Sequence, residues 1–551
     1  LEMRFIDKVE TPLKAQGIRH GARRQRAVPA LVICFLLAAC GGPPKPVGVV
    51  GHVKGFAGMV AADEPNAVLV GRDIISAGGT PADAAVAMSF VLSVTLPSRA
   101  SLGAGGACLV YDQSKNTVEA LDFNAPPPRR IPAGADRPSA VPALPRGLFA
   151  LSAKYGHLRW EELVTPAERL ARQGFPMPRV LSSQLSTVAA PLLANPEMRR
   201  VFADANGNAL AEGQPFVQMD LGATLTRLRT QSVGDFYAGA WAREIVQSVN
   251  SVGGSLSEDE MRDFLPQWKD AVAVAYGDDI AYFSPSPAAG GLLEAQWWSH
   301  LVRDGAYDGV GTEVRPHLVA ETLARGLADR QKWLGAGGQV QGAPDELTGK
   351  GHLAEIMAGY SESGHQPLSG EPPMMAITGT GLVVMDQSGS AVACTLGLNN
   401  SFGIGRVIPN TGVLLAAAGW VGGRGPFDMG PMLAINANSH EFRYASAAGG
   451  GPSAPAALME TALSAVVDGH PLVEAVAAKR FYATPAPDGV FIEPESPDAK
   501  GLEARGHQLE ETPLPARVNA IQCGSGSPSR SRCAVVSDPR GSGLALVAGS
   551  E

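Results

Sequence analysis

The chain has 551 residues, 45% of them hydrophobic and 18% charged, with a formal net charge of -8. That balance describes a chain able to bury a large core, and it gives no basic footprint for a nucleic-acid partner. No apolar run reaches the ~18 residues of a membrane-spanning helix, and no heptad, internal repeat, P-loop or Rossmann fingerprint is present.

Residues 1–39 read as a targeting segment of lipoprotein type. Arg23, Arg24 and Arg26 form a basic start, and Val28 to Ala39 form an apolar stretch too short for a mature span. The stretch ends Leu37-Ala38-Ala39-Cys40-Gly41, which resembles a bacterial lipobox and makes Cys40 the expected lipidation site. Residues 40–54 then act as a tether. The expected location is the periplasmic side of the cell envelope, with translation starting at Met3 or downstream. Cys34 leaves with the signal. Cys108 and Cys394 sit in apolar strand-like runs and read as buried thiols. Cys523 and Cys533 flank a polar loop between two strand-like runs and could close a hairpin disulfide in an oxidising compartment.

The folded region opens with a strand at Gly58 to Ala62. A helix follows over Pro65 to Ala77, stopped by Gly78-Gly79, and a small-residue helix begins at Ala82. Leu96 to Asp112 pass through Gly103, Gly105 and Gly106 into a second strand. Further on, Gly381 to Asp386 and Ala391 to Leu396 form a hairpin about the turn Gln387-Ser388-Gly389, followed by the Gly-rich loop Asn399 to Gly405. Thr378 and Thr380 stand at its mouth. On its own, a threonine there is an ordinary β-former. The histidines are scattered without metal-ligand spacing; His157, His317 and His470 read as surface or helix-face residues, and neither metal nor cofactor is expected.

The motifs, taken in order, carry a resemblance. GMVAADEPNAVLVGRDIISAGGTPADAAVA and SLGAGGACLVYD are followed by GHLRWEELVTPAERLARQGFPM, GDFYAG, PSPAAGGLLEAQ and HLVAETLARGLADRQKWLG. LNNSFGIG, AAGGGPSAP and SDPRGSGLALV complete the series. From about Gly55 onward the chain resembles the γ-glutamyltransferases, the family of glutathione hydrolases and related acylases. The resemblance implies an α/β fold of N-terminal-nucleophile (Ntn) type, an αββα sandwich of two antiparallel sheets flanked by helices. It also implies a proenzyme that cuts itself into a large chain, residues 55–379, and a small chain, 380–551. The new N-terminal threonine would carry its own base, since an α-amine titrates near 7.7–8.0.

By the same resemblance, Gly449 and Gly450 match the oxyanion donors and Asn399 matches a γ-glutamyl contact. The family's Thr-Thr-His falls on Gly379, Thr380 and Gly381. Either Thr380 begins the small chain, or Thr378 does with a one-residue shift, or the nucleophile is missing. A third family threonine falls on Gly397, with Thr395 two residues away. The arginine that clamps the substrate carboxylate is Asn124 here, with Arg99 or Arg129 as possible substitutes. The acidic pair falls in the uncharged Ala416 to Val421, and Asp428 offers an amine contact. The expected partner is a small γ-glutamyl or related amide. The alternatives are a non-catalytic binding or scaffolding lipoprotein and an acylase for a non-glutamyl substrate.

Overall fold

The structure is a computed structural model and describes residues 53–335, 340–370, 378–419 and 429–550. Cys34, Cys40 and Asp428 lie outside the described residues. Two helices near the start show how the sequence writes its elements. Glu64 caps the first, α1 (Pro65–Ser76), by accepting from Ala67 N at 3.1 Å. The second, α2 (Pro81–Thr95), opens with a reciprocal capping box: Thr80 Oγ1 accepts from Asp83 N, and Asp83 Oδ2 accepts from Thr80 N. Every residue of α2 is buried. A helix apolar all round belongs inside, and this one lies under the central sheet.

The strands of the two large sheets, in chain order, are β1 (Gly58–Ala62), β2 (Gly105–Asp112), β3 (Thr117–Phe123), β4 (Gln267–Asp270), β5 (Val272–Tyr276), β6 (Asp279–Phe283), β7 (Thr380–Asp386), β8 (Ala391–Gly397), β9 (Met432–Asn436), β10 (Phe442–Gly449), β11 (Arg517–Cys523), β12 (Cys533–Ser537) and β13 (Leu544–Ala548). The first sheet runs β13-β1-β7-β8-β2-β3-β4 and the second β12-β11-β10-β9-β6-β5, both antiparallel. The hairpin at the centre of the first sheet thus takes in Thr380 itself.

Alternation along β7 explains the sandwich. Val383 and Met385 pack between the sheets with Leu433, Ala445 and Ile521, while Leu382 and Val384 pack on the helical side with α2. Both faces of the strand are buried, so it reads as a continuous apolar run. The far face of the second sheet is covered by α3 (Ala289–Trp298) and the helix Ala454–Ala462, with α4 (Arg315–Trp333) packed against α3; their apolar residues join Phe283, Met432 and Tyr444 in one core. The layers are helices, sheet, sheet, helices: the αββα sandwich. A third, three-stranded sheet is built from Phe481–Pro485, Asp488–Ile492 and Leu509–Glu511.

Two expectations are corrected. Cys108 and Cys394 are not free thiols: the β2–β8 register sets them opposite each other, with Cα atoms 4.1 Å apart, and they are joined as a disulfide. Each strand read singly hides the pairing, because the two residues are 286 apart in sequence. His317 is not a surface residue either; it is 1% exposed on α4, and its ring meets His507. Cys523 and Cys533 are opposed on β11 and β12 and are also bonded. Among the described residues no helix is long and apolar enough to cross a membrane.

Candidate active site

Thr380 is fully buried at the first position of β7. Its hydroxyl donates to Asp63 Oδ2 at 2.9 Å. Asp63 follows β1 directly, at the adjacent end of the neighbouring strand, and is itself buried. Asn519 on β11 reaches across from the second sheet, donating to Asp63 Oδ1 at 2.8 Å and to the Gly381 carbonyl at 3.1 Å. Arg99 Nη1 stands 3.5 Å from Asp63 Oδ2. Burial pushes the Asp63 carboxyl above the ordinary aspartate range; Arg99, Asn519, Thr380 and Arg517 pull the other way without overcoming it.

The glycine run after β10 sits against the same backbone. Gly450 N and Gly451 N both donate to the Thr378 carbonyl, at 2.7 and 3.0 Å. Two convergent amides on one carbonyl oxygen are the arrangement that stabilises an oxyanion. Gly450 has φ +130, and a Cβ there would meet Ala516 Cα at 2.4 Å. A Cβ on Gly449 would lie 2.3 Å from the Gly379 carbonyl oxygen. The structure therefore brings Thr378, Thr380, Gly449 and Gly450 together and adds Gly451. Position 397 faces position 379: a Cβ on Gly397 would lie 3.8 Å from Gly379 Cα and 2.7 Å from Met429 Cε. Thr395 is buried on β8 opposite Gly381, and its hydroxyl has no partner among the described residues.

Asn399, at φ +56, donates to the Ala417 carbonyl at 3.0 Å. Asn124 lines a cavity of about 420 Å³ with Asp122, Arg129, Glu260 and Asp263. Its amide donates to Asp122 Oδ1 at 2.8 Å, and its own Oδ1 is buried with no partner among the described residues. Arg129 pairs with Asp263 at 3.0 Å, and Lys269 pairs with Asp122 at 2.7 Å. Arg129 and Lys269 beside this cavity, and Arg99 beside Thr380, thus each already face a carboxylate.

The sequence profile of the Gamma-glutamyltranspeptidase family matches residues 67–419 and 422–548. The chain belongs to that family. A Glutathione hydrolase proenzyme of Escherichia coli (strain K12) is 28% identical over 544 residues, covering 88% of this chain and 93% of that one. A Glutathione hydrolase proenzyme of Bacillus subtilis (strain 168) is 30% identical over 421 residues, covering 68% and 70%. Among solved structures, a cephalosporin acylase from Bacillus halodurans superposes with a TM-score of 0.77 at 20% identity, covering 93% of this chain and 99% of that one. A gamma-glutamyltranspeptidase from Helicobacter pylori gives a TM-score of 0.51 at 23% identity, covering 59% and 95%. By family this gamma-glutamyltranspeptidase homologue is an Ntn-type enzyme, and by fold it carries the Ntn sandwich.

Sequence reasoning missed Asp63 and Asn519. Asp63 left a signal, a carboxylate placed directly after the wholly apolar strand GMVAA; Asn519 left none, because its role depends on how the two sheets face each other.

Proposed function

We propose that this chain cuts itself before Thr380 and then uses that threonine to transfer an acyl group from a small amide to water or to an amine. The observation that carries this reading is the Thr380 hydroxyl donating to the buried Asp63 carboxylate beside two convergent backbone amides. In the cut, Thr380 Oγ attacks the Gly379 carbonyl carbon. Asp63 takes the hydroxyl proton and returns it to the departing nitrogen, leaving an ester that water hydrolyses to a Gly379 carboxylate and a free Thr380 amine. That amine then serves as the base for later turnovers.

In the uncut chain the Thr378 carbonyl occupies the amides of Gly450 and Gly451. Departure of the cut tail frees both donors for the oxyanion of a substrate. The oxyanion site is thus blocked by the segment whose release creates the nucleophile.

The acyl group is neutral or weakly polar in this reading. A γ-glutamyl head carries a carboxylate and an ammonium group, and losing a charge-assisted contact to either costs roughly 1.5–3 kcal/mol, one to two orders of magnitude in affinity. Asn124 replaces the clamp arginine, and Arg99 and Arg129 face Asp63 and Asp263. The relatives named as glutathione hydrolases and the acylase-like fold bracket the two substrate classes, γ-glutamyl peptides and other amides. A second reading is favoured by one observation: positions 379 and 397 are both glycine, with Met429 Cε crowding the second. On that reading the chain is a binding or scaffolding protein without catalysis. Anchoring through a lipid on Cys40 places either version on the periplasmic side of the envelope.

Intact mass and N-terminal sequencing of the reduced chain, expressed without its signal, test the proposal. Two fragments, the smaller beginning at Thr380, support it. A single chain that stays uncut for days at neutral pH removes it and favours the binding reading.

A further inference from the structure

A second cluster lies on elements that contribute nothing to the Thr380 site. His317 and Glu321 are one turn apart on α4, so they share a helix face. His507 comes from the loop ahead of strand Leu509–Glu511. All three are buried, at 1%, 1% and 6% exposure. His317 Nδ1, His507 Nε2 and a Glu321 carboxylate oxygen lie within 4.8 Å of one another. We propose that these three side chains form a binding site for one divalent transition-metal ion of the zinc class, which fastens α4 to the third sheet.

The surroundings are those a metal site needs. His317 Nε2 faces the Ser361 carbonyl at 2.9 Å. That ring nitrogen therefore carries the hydrogen, and Nδ1 presents its lone pair inward. A ligating histidine held by a backbone carbonyl through its other nitrogen is the usual outer-shell pattern. Glu321 Oε2 accepts from Arg325 Nε at 2.7 Å, which leaves Oε1 turned toward the histidines. Oε1 is met by His365 Nδ1 at 2.5 Å, and His365 Nε2 faces Asp488 Oδ2 at 3.1 Å. The carboxylate is thereby held from both sides.

Spacing fits as well. Two ligands at ~2.0–2.1 Å from a tetrahedral zinc stand roughly 3.3 Å apart. His317 Nδ1 and His507 Nε2 are 2.7 Å apart, and His507 Nε2 and Glu321 Oε1 are 3.9 Å apart. These two distances bracket the requirement and each needs a shift of roughly half an ångström, while the third pair, His317 Nδ1 and the Glu321 oxygen, lies within 4.8 Å and closes onto the ion by side-chain rotation. On binding, the hydrogen that His507 Nε2 shares with His317 moves to Nδ1 of the same ring, and the imidazole stays neutral. Two imidazoles and a carboxylate suit zinc and leave a fourth position for water.

The test uses the full chain stripped with a chelator and then titrated with Zn²⁺ by calorimetry, with Co²⁺ as a spectroscopic probe. The expected result is one ion per chain, a rise in Tm on loading, and a Co²⁺ spectrum without thiolate charge transfer. His507→Gln and Glu321→Gln, each checked for native circular dichroism, should bind at least about tenfold more weakly. Failure of the unsubstituted chain to bind overturns the proposal whatever the variants do. Undiminished binding in folded variants overturns it too, by placing the ion elsewhere.

Discussion

Asp63→Asn is the most informative single change. It removes a charge while keeping the shape of a side chain that holds three neighbours, Thr380, Asn519 and Arg99, in place. The amide oxygen still accepts from either Thr380 or Asn519, so the packing survives. What is lost is the proton acceptor for Thr380 and the carboxylate 3.5 Å from Arg99. Hydrogen bonds to charged groups are worth about 1.5–3 kcal/mol, so the fold should lose no more than that. Loss of a positioned base costs ~10²–10⁴ in rate, so cleavage should slow by that factor. The pH dependence follows from burial, which raises the Asp63 carboxyl above 3.8. Only the ionised form takes the proton, so cleavage should speed up as pH climbs through that raised value, and the rise should vanish in Asp63→Asn. Stability moves the opposite way. The folded state holds its proton more tightly than the unfolded chain, so this group's contribution is complete below the unfolded value and lost as pH rises through the folded one. The assay is a time course of the two fragments by mass after reduction, across pH. A variant that cuts as fast as the parent refutes the role given to Asp63.

Three other outcomes are expected. Asp538→Asn leaves Arg480, 2% exposed, without the carboxylate 2.8 Å away, and should cost roughly 3–5 kcal/mol in chemical denaturation. Burial opposes ionisation of Asp538, but Arg480 and Arg540 hold it below the ordinary range. Its stabilisation is therefore present above the unfolded value and lost as pH falls through the lower folded one, and the parent's acid-limb titration should lose that component in the variant. Gly450→Ala places a methyl 2.4 Å from Ala516 Cα at φ +130; it should cost roughly 1–3 kcal/mol and abolish turnover of an acyl anilide by displacing the amides, whereas normal turnover would show that these amides do not matter. Asn124→Arg should raise turnover of a γ-glutamyl anilide relative to a neutral acyl anilide by about tenfold or more, and an unchanged ratio would detach this cavity from substrate choice.

Local chemistry made much of the fold readable. The Gly78-Gly79 stop after α1 and the apolar runs of the central hairpin are short-range signals, and they place those elements within a residue or two. The motif order carried the family. What stayed hidden depends on which strands become neighbours. Thr380 and Asp63 are 317 residues apart, Cys108 and Cys394 are 286 apart, and His317 and His507 are 190 apart. None of these pairs leaves a pattern in its own stretch of chain. The donor pair illustrates a finer limit: the glycine run was legible, but which two amides converge on the Thr378 carbonyl depends on the bend at Gly450.

The Cys108–Cys394 bond spans the position at which the chain is proposed to divide. A molecule severed before Thr380 would remain a single covalent object, with β7 and β8 stitched between β1 and β2. On a denaturing gel without reductant, cut and uncut protein would then migrate as products of similar mass, and only reductant would part them. Maturation in this chain would change its ends and leave its connectivity closed.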